Sequence, residues 1–245
     1  MAMRDLYIRW MELLEPVPRD NYLARLPVVK HLAENKIEFH KQVTFFVGEN
    51  GSGKSTLIEA LAISQGFNPE GGSRNFNFHT ADTHSELHSH LRVARGVIRH
   101  KRGYFLRAES FYNVATNIDE LGIEGYYGGS LHHRSHGESF LALVEGIFGR
   151  DGLYILDEPE AARSPRGIIR LMQRMDELVA QDCQFIISTH SPMLLCFPDA
   201  EVYQITKKGI DSVRFQDTDH YRTTVRFLQN PESAVADILG YDTEE

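Results

Sequence analysis

The chain has 245 residues, of which 42% are hydrophobic and 24% charged, and its formal net charge is −8 at pH 7. This length suits one α/β domain spanning residues 1–245, and the acidic balance argues against a general basic coat for nucleic acid, although a local basic patch is still allowed. No apolar run approaches the roughly 18 to 20 residues of a membrane span, no signal peptide is visible, and two cysteines suggest no disulfide framework, so we expect a cytoplasmic protein.

Alternating runs at residues 6–10 and 22–26 are separated by Pro16 and Pro18. Their pattern predicts strands that lead into the next apolar run, at residues 43–47. That run is short, rich in β-forming residues and typical of a buried strand.

A phosphate-binding loop follows this strand, because residues 48–56 fit the pattern G-x-x-x-x-G-K-[ST] at every fixed position. Its residues are Gly48, Glu49, Asn50, Gly51, Ser52, Gly53, Lys54, Ser55 and Thr56. Glycines allow successive backbone N–H groups to face phosphate oxygens without an obstructing Cβ. Lys54 is placed to reach the β- and γ-phosphates, Ser55 offers its hydroxyl to Mg²⁺, and the helix predicted at 55–62 directs its positive end at the anion. The sequence lacks the guanine-recognition motif N-K-x-D, which favours ATP over GTP as the nucleotide. Tyr22 is a candidate to cover the adenine ring; the alternative is that its side chain packs against the sheet.

The middle of the chain predicts a helix at 85–95 and a strand at 103–110. Ligands of open α/β sheets bind beyond the carboxyl ends of strands, so Glu109 is a candidate for the metal or for catalysis, the alternative being a carboxylate satisfied by a neighbouring helix. A helical pattern at 111–121, a glycine- and tyrosine-rich break at 122–129 and an apolar helix at 140–148 predict a small helical lobe over about residues 111–150. The polar residues 133–139 open its last helix and make a second anion-binding N-terminus.

Two further apolar strands end in polar residues. Residues 152–158 end in Asp157 and Glu158, which point to opposite faces because they are adjacent in a strand. We therefore expect Asp157 to assist Mg²⁺ and Glu158 to polarise the attacking water. Residues 184–192 end at His190, which can touch the γ-phosphate and that water; a packing or capping histidine is the alternative. Beyond residue 202 the sequence predicts short strand-like runs and no site.

The ordered set GENGSGKST, Ser135-His136-Gly137-Glu138, YILDEP and Ser188-Thr189-His190 resembles the ATP-binding-cassette (ABC) ATPase superfamily. The resemblance implies a P-loop α/β fold, with a mixed, mainly parallel sheet flanked by helices, an N-terminal antiparallel part and the small helical lobe. It also implies that Ser135, Gly137 and Glu138 form the signature loop, which caps the γ-phosphate held by the opposite subunit of a homodimer. Glu158 resembles the catalytic glutamate, His190 the switch histidine and Lys54 the P-loop lysine. Glu109 lies near the position of the family's Q-loop glutamine, so this chain has a glutamate where the family pattern has a glutamine.

The glutamate that ends the signature is similar to the DNA-repair and chromosome-maintenance branch, which resembles SMC and RecF proteins. The whole set looks closest to small stand-alone bacterial ATPases filed as AAA family ATPases of ABC type. Only about 80 residues without sustained heptads separate the P-loop from the signature, so the chain has no coiled arms. We expect Mg²⁺-dependent ATP hydrolysis by a sandwich homodimer, coupled to nucleic-acid transactions or defence through DNA or an effector protein. The alternatives are the cytoplasmic ATP-binding subunit of a transporter, partnered by a membrane permease, and a low-turnover nucleotide-sensing scaffold.

Overall fold

The computed structural model describes residues 6–73, 85–108, 136–161 and 164–240, with the backbone alone at 136 and 137. The described strands are β1 (Ile8–Leu13), β2 (Ile37–Glu38), β3 (Val43–Gly48), β4 (Leu91–Arg95), β5 (Arg102–Arg107), β6 (Gly152–Asp157), β7 (Gln184–Ser188), β8 (Glu201–Thr206) and β9 (Gly209–Ser212). The described helices are α1 (Pro27–Leu32), α2 (Lys54–Ser64), α3 (Leu87–His90), α4 (His136–Ile147), α5 (Pro165–Val179), α6 (Pro192–Leu195), α7 (Asp219–Gln229) and α8 (Pro231–Leu239). Short 3₁₀ helices span Tyr22–Arg25 and Phe215–Asp217.

Among the described residues, the central sheet has six strands in the order β5-β6-β7-β3-β8-β9. Its strands are parallel except for β9, which pairs antiparallel with β8. The register sets Phe46 of β3 opposite Ser188 of β7, and Gly48 opposite Ile205 of β8. Because parallel strands end at one edge, the loop after β3 lies beside the ends of β6 and β7.

Both faces of the central strands are buried, which explains why their sequences are almost continuously apolar. Phe45 and Phe46 are fully buried and, as successive strand residues, enter different clusters. Phe45 belongs to the cluster that contains Phe140 of α4 and other side chains of α4 and α5. Phe46 belongs to the cluster that contains Leu57 of α2. The helices therefore cover the two faces of the sheet.

A second, antiparallel sheet has the order β2-β1-β4. Gln184, at the start of β7, joins it to the central sheet through a buried pair of hydrogen bonds. The backbone N–H of Ile8 donates to Gln184 Oε1 over 2.9 Å, and Gln184 Nε2 donates to the Ile8 carbonyl over 3.0 Å. One buried amide thus satisfies both backbone groups of Ile8.

The predicted fold class is confirmed, and β1, β3, β5, β6, β7 and α2 lie where the sequence predicts them. The strand predicted at 22–26 is wrong. A 3₁₀ helix forms there because the Asn21 side chain accepts from the N–H of Leu23 over 3.0 Å and Pro27 begins α1.

The helix predicted at 85–95 is correct only for its first half, since Leu91–Arg95 pairs as β4 with β1. After β8 and β9, the C-terminal part is helical rather than strand-like. Of the lobe predicted at 111–150, α4 and the residues after it are described; residues 111–135 lie outside the described ranges.

Candidate nucleotide-binding site

The phosphate-binding loop connects β3 directly to α2. Gly51 and Gly53 have φ angles of 78° and 94°, in the left-handed region that favours glycine. Lys54 Nζ is buried and donates to the carbonyls of Gly48 and Glu49 over 2.8 and 3.1 Å. Burial lowers the pKa of Lys54, and the carboxylates of Glu158, Asp157 and Glu160 oppose that shift. The loop thus holds a cation over a group of acidic side chains.

Two glycines of the loop are also required by close packing. A Cβ on Gly48 would lie 2.6 Å from the Ile205 carbonyl oxygen, and a Cβ on Gly53 would lie 2.6 Å from Cγ2 of Val28. The sequence motif explains these glycines by the close approach of the loop backbone to phosphates. The structure adds contacts with β8 and α1 as a second reason.

Asp157 ends β6 with its carboxylate buried. It accepts hydrogen bonds from the hydroxyls of Ser188 and Ser55, and Arg107 Nε lies 3.9 Å from its Oδ2. Burial raises the pKa of Asp157, while these hydroxyls and Arg107 oppose the rise. Hydroxyl and carboxylate oxygens are the ligands that Mg²⁺ prefers, and a cation would stabilise the ionised form of a buried acid. The paired oxygens of Ser55 and Asp157 therefore fit a magnesium ion.

Glu158 follows Asp157 in a left-handed conformation, with φ of 49°, which is uncommon for a residue other than glycine. Its N–H donates to the carbonyl of Ser188 over 3.1 Å and to the Ser188 hydroxyl over 3.2 Å. Its side chain is 39% exposed, and its Oε1 lies 3.4 Å from Nε2 of His190. The two adjacent carboxylates thus occupy different environments, one buried and one open to solvent.

His190 is held by contacts with three side chains. Its backbone N–H donates to Oε1 of Glu160, its Nε2 faces Glu158, and its Nδ1 lies 2.9 Å from Nε2 of His220 in α7. Burial lowers the pKa of both histidines and raises that of Glu160. The half-buried His190 is therefore fixed beside Glu158 by contacts with Glu160 and His220.

A cleft of about 520 Å³ lies over the loop. One wall is made by loop residues 48–52, and another by residues 204–208 together with Asp219 and His220. The sequence predicts no site in this C-terminal part, yet its side chains line the cleft. Tyr22 is 60% exposed on its 3₁₀ helix and is not among the lining residues, so it packs neither in this cleft nor in a sheet.

Comparisons with known proteins agree with this geometry. A family model described as an AAA domain matches residues 28–120. The chain is 28% identical over 190 residues to the energy-coupling factor transporter ATP-binding protein EcfA2 of Methanospirillum hungatei, covering 66% of this chain and 45% of that protein. It is 25% identical over 216 residues to the zinc import ATP-binding protein ZnuC of Alkalilimnicola ehrlichii, covering 79% and 76%. The chain is therefore similar to the ATP-binding proteins of ABC-type transport systems.

The fold of the chain is similar to that of a solved structure, cbiO1 from Clostridium perfringens, which is described as part of the ABC transporter complex cbiONQ. That likeness has a TM-score of 0.53 at 15% identity and covers 96% of this chain and 99% of the other. In the part of the chain that the structure describes, no helix combines the length and the apolar character of a membrane span.

The remaining predicted site residues are only partly within the described ranges. Glu138 is exposed in the first turn of α4, and the backbone of Gly137 is helical there. Ser135 and Glu109 lie outside the described residues. Among the loop residues, Glu49, Asn50 and Gly51 are exposed at the tip, whereas Ser52 is buried and Ser55 and Thr56 are half-buried.

Sequence reasoning missed four side chains near the site, Arg107, Glu160, Ser188 and His220. Ser188 and Glu160 lie within or beside motifs that the sequence shows. Their positions could therefore be read from the sequence, but their hydrogen bonds to Asp157, Glu158 and His190 could not. Arg107 and His220 lie outside the recognised motifs, and no local pattern distinguishes them from other charged residues.

Proposed function

We propose that this chain is an ABC-type ATPase, which binds Mg·ATP on residues 48–56 and hydrolyses it between two copies of the chain that close head to tail. The observation that carries the proposal is the convergence of Lys54, Asp157, Glu158 and His190 at one edge of the central sheet. These residues come from three separate parts of the chain. They supply a cation, a buried acid, an exposed acid and a neutral imidazole, a set that can position and stabilise the groups of phosphoryl transfer to water.

Binding of the nucleotide would use the loop backbone, the N-terminus of α2 and Lys54, all of which favour anions. Ser55 and Asp157 would hold Mg²⁺. When bound, this ion neutralises charge on the β- and γ-phosphate oxygens. Lys54, which donates to two loop carbonyls without nucleotide, would turn one or more of its three N–H donors to those oxygens.

In hydrolysis, the oxygen of a water molecule attacks the γ-phosphorus and the bond to the ADP oxygen breaks. Glu158 would orient this water and accept its proton, since its carboxylate is the accessible one of the adjacent pair. His190 would contact the γ-phosphate and the water from the other side. The products are ADP and inorganic phosphate, and Lys54 would stabilise the charge that develops during transfer.

The dimer follows from the signature residues Ser135, Gly137 and Glu138, which the family resemblance assigns to the nucleotide of the opposite copy. Exposure of Glu138 at the first turn of α4 supports this role, because a residue that caps a partner's ligand must be accessible in the single chain. ATP that bridges two copies favours the closed state over the open one and so shifts that equilibrium.

In our proposal, closure of the homodimer moves a membrane permease as its partner. EcfA2 and ZnuC are named as ATP-binding proteins of transport systems, which supports this alternative over the nucleic-acid or defence role that the signature glutamate favours. The chain spans 45% of the length of EcfA2, so this relative supports a partner class and not a cargo. The ATPase would then work at the cytoplasmic face of a membrane.

The catalytic proposal is tested with Glu158→Gln, which keeps the shape of the side chain and removes its basicity. We expect kcat to fall about 10²- to 10⁴-fold, the range that general-base catalysis contributes. With Mg·ATP, light scattering should give the variant twice the mass of the 28.0 kDa chain, and with Mg·ADP the mass of one chain. Glu177→Gln, an exposed glutamate on α5, is the matched control and should keep the rate of the wild type. Unchanged turnover in Glu158→Gln would refute the assigned base.

The partner proposal needs a separate experiment. Tagged Glu158→Gln, held closed with Mg·ATP, is purified from detergent-solubilised membranes, and the wild-type rate is measured with and without duplex DNA. Recovery of a multispan protein, dependent on ATP, together with a rate that DNA does not change would support a permease. A several-fold stimulation by DNA, with no membrane protein recovered, would overturn this proposal and favour the nucleic-acid role.

A further inference from the structure

His190 and His220 form a direct contact across the edge of the cleft. The Nδ1 atom of His190 lies 2.9 Å from the Nε2 atom of His220, and the two ring centroids are 5.0 Å apart at an angle of 59°. The opposite nitrogen of His190, Nε2, lies 3.4 Å from Oε1 of Glu158. His190 thus stands between a second imidazole and the proposed base.

The protonation of this pair follows from its surroundings. Burial lowers the pKa of both rings, and the Lys54 ammonium lowers each of them further, while Glu158 opposes the shift for His190 and Asp219 and Glu49 oppose it for His220. Both rings are therefore neutral at neutral pH, and one proton is shared between the facing nitrogens. A neutral imidazole has one donor and one acceptor, so the position of this proton decides what His190 presents to Glu158.

Two arrangements satisfy the contact between the rings. If Nδ1 of His190 carried the proton, its Nε2 lone pair would face the carboxylate of Glu158, and two electron-rich atoms would oppose each other at 3.4 Å. If Nε2 of His220 carries the proton, it donates a hydrogen bond to Nδ1 of His190. The proton of the His190 ring is then on Nε2, and this Nε2–H faces the carboxylate of Glu158. The second arrangement places a donor opposite an acceptor at both contacts, over 2.9 Å between the rings and 3.4 Å to the carboxylate, and is the stable one.

We propose that His220 is a positioning residue for His190, because its Nε2–H donates to Nδ1 of His190 and thereby directs the Nε2–H of His190 at Glu158 and into the cleft. The proposed effect on catalysis rests on the proposed ATPase function. The choice of tautomer does not, since it is a property of the nucleotide-free chain.

The backbone that carries His220 is well fixed. The fully buried Thr218 caps α7 by accepting from the N–H of Tyr221 over 3.3 Å, and its hydroxyl donates to the Phe215 carbonyl over 2.7 Å. Asp219 accepts from Gln204 Nε2 of β8 over 3.1 Å. The first turn of α7 is thus anchored to a strand that borders β3, which holds His220 at a constant place relative to the loop.

The tautomer is tested without turnover, by ¹⁵N NMR of histidine-labelled, nucleotide-free protein at pH 8. Signals of the 12 histidines are assigned by single substitutions at His190 and His220. We expect His190 to carry its proton on Nε2 in the wild type. His220→Leu should shift the Nδ1 signal of His190, and His220→Gln, whose amide can donate in place of Nε2–H, should largely restore it. A proton on Nδ1 of His190, or a spectrum of His190 that His220→Leu leaves unchanged, would overturn the proposal.

The consequence for catalysis is tested by a double-mutant cycle. His220→Leu should lower kcat about 10- to 100-fold with an unchanged KM for ATP, because misplacing a reacting group by about 1 Å can cost about 100-fold. His220→Gln should recover most of the rate, and the control Arg226→Leu, exposed on the same helix, should keep it. In a His190→Ala background His220→Leu should have no further effect. An equal loss of kcat in that background would show that His220 does not act through His190. Absence of ATP turnover in the wild type would refute the proposed function. In that case the NMR result would still decide whether His220 positions His190.

Discussion

Arg107 Nη1 at the end of β5 donates to Oε2 of Glu59 in α2 over 2.6 Å. On its other side the guanidinium Nε lies 3.9 Å from Oδ2 of Asp157. The side chains of both acids are only 6% exposed. One arginine thus compensates two buried carboxylates beneath the nucleotide site, and it joins the strand, the helix after the phosphate-binding loop and the proposed metal ligand.

Replacement of this arginine should be costly. We expect Arg107→Met to lower the free energy of unfolding by about 3–5 kcal/mol, because removing one partner leaves buried charge uncompensated. The measurement is urea denaturation of the nucleotide-free protein at pH 7. Arg107→Met with Glu59→Gln should be more stable than Arg107→Met alone, and Arg222→Met, which breaks an exposed pair with Asp217, should have a much smaller effect. A loss below about 1 kcal/mol for Arg107→Met would contradict the assigned role, since that is the size of surface ion pairs.

The loop glycines should differ in their tolerance of alanine. Gly51→Ala meets no atom within 4 Å, so it costs only the strain of a left-handed backbone, about 1–2 kcal/mol. Gly53→Ala has the same strain and a Cβ that would lie 2.6 Å from Cγ2 of Val28, so we expect about 1–3 kcal/mol more. Urea denaturation without nucleotide separates this effect from phosphate binding. Val28→Ala should be less damaging in the Gly53→Ala background than alone, and purely additive losses would exclude the contact as the cause.

Glu160 provides a prediction about pH. Burial raises its pKa above the ordinary 4.5, and its Oε2 has no hydrogen-bond partner among the described residues. Well below pH 4.5 the carboxyl is protonated in both the folded and the unfolded state. As pH rises through the higher folded pKa, the wild type loses stability because the unfolded chain ionises more readily. The unfolding free energy of Glu160→Gln, relative to the wild type, should therefore increase with pH by at most about 1.4 kcal/mol per unit and then level off. Urea denaturation from pH 4.5 to 8 measures this, with the exposed Glu232→Gln as control; a difference that falls with pH would be evidence against the burial effect.

Two buried hydroxyls on neighbouring strands should respond in opposite ways. Ser188 Oγ donates to Asp157 and accepts from the N–H of Glu158, so Ser188→Ala should lower the free energy of unfolding by about 1–3 kcal/mol. Thr44 Oγ1 in β3 is buried and has no hydrogen-bond partner in the part of the chain that the structure describes. Thr44→Val should consequently be neutral or stabilising. Thermal or urea unfolding gives both values, and equal losses would mean that burial and not hydrogen bonding decides them.

Much of the fold could be predicted because its signals are local. The apolar runs of β3, β6 and β7 indicate strands buried on both faces, and the glycine pattern of residues 48–56 indicates the loop between β3 and α2. The errors arose where the deciding contact is distant. Residues 91–95 have a helical pattern but become β4, because Val93 pairs with Met11 of β1. The 3₁₀ helix at Tyr22–Arg25 depends on a cap from Asn21 and on Pro27, which outweigh an alternating pattern.

The sequence by itself determined the chemistry of the loop and of the acidic pair, because each motif is a short run whose residue types and spacing are set by phosphate and metal geometry. The tertiary structure alone decided which side chains hold those groups in place. Arg107 reaches Glu59 from 48 positions away, and His220 reaches His190 from 30 positions away. Such contacts carry no periodic signal, since they depend on which strand ends meet at the edge of the sheet and on how α7 returns to it.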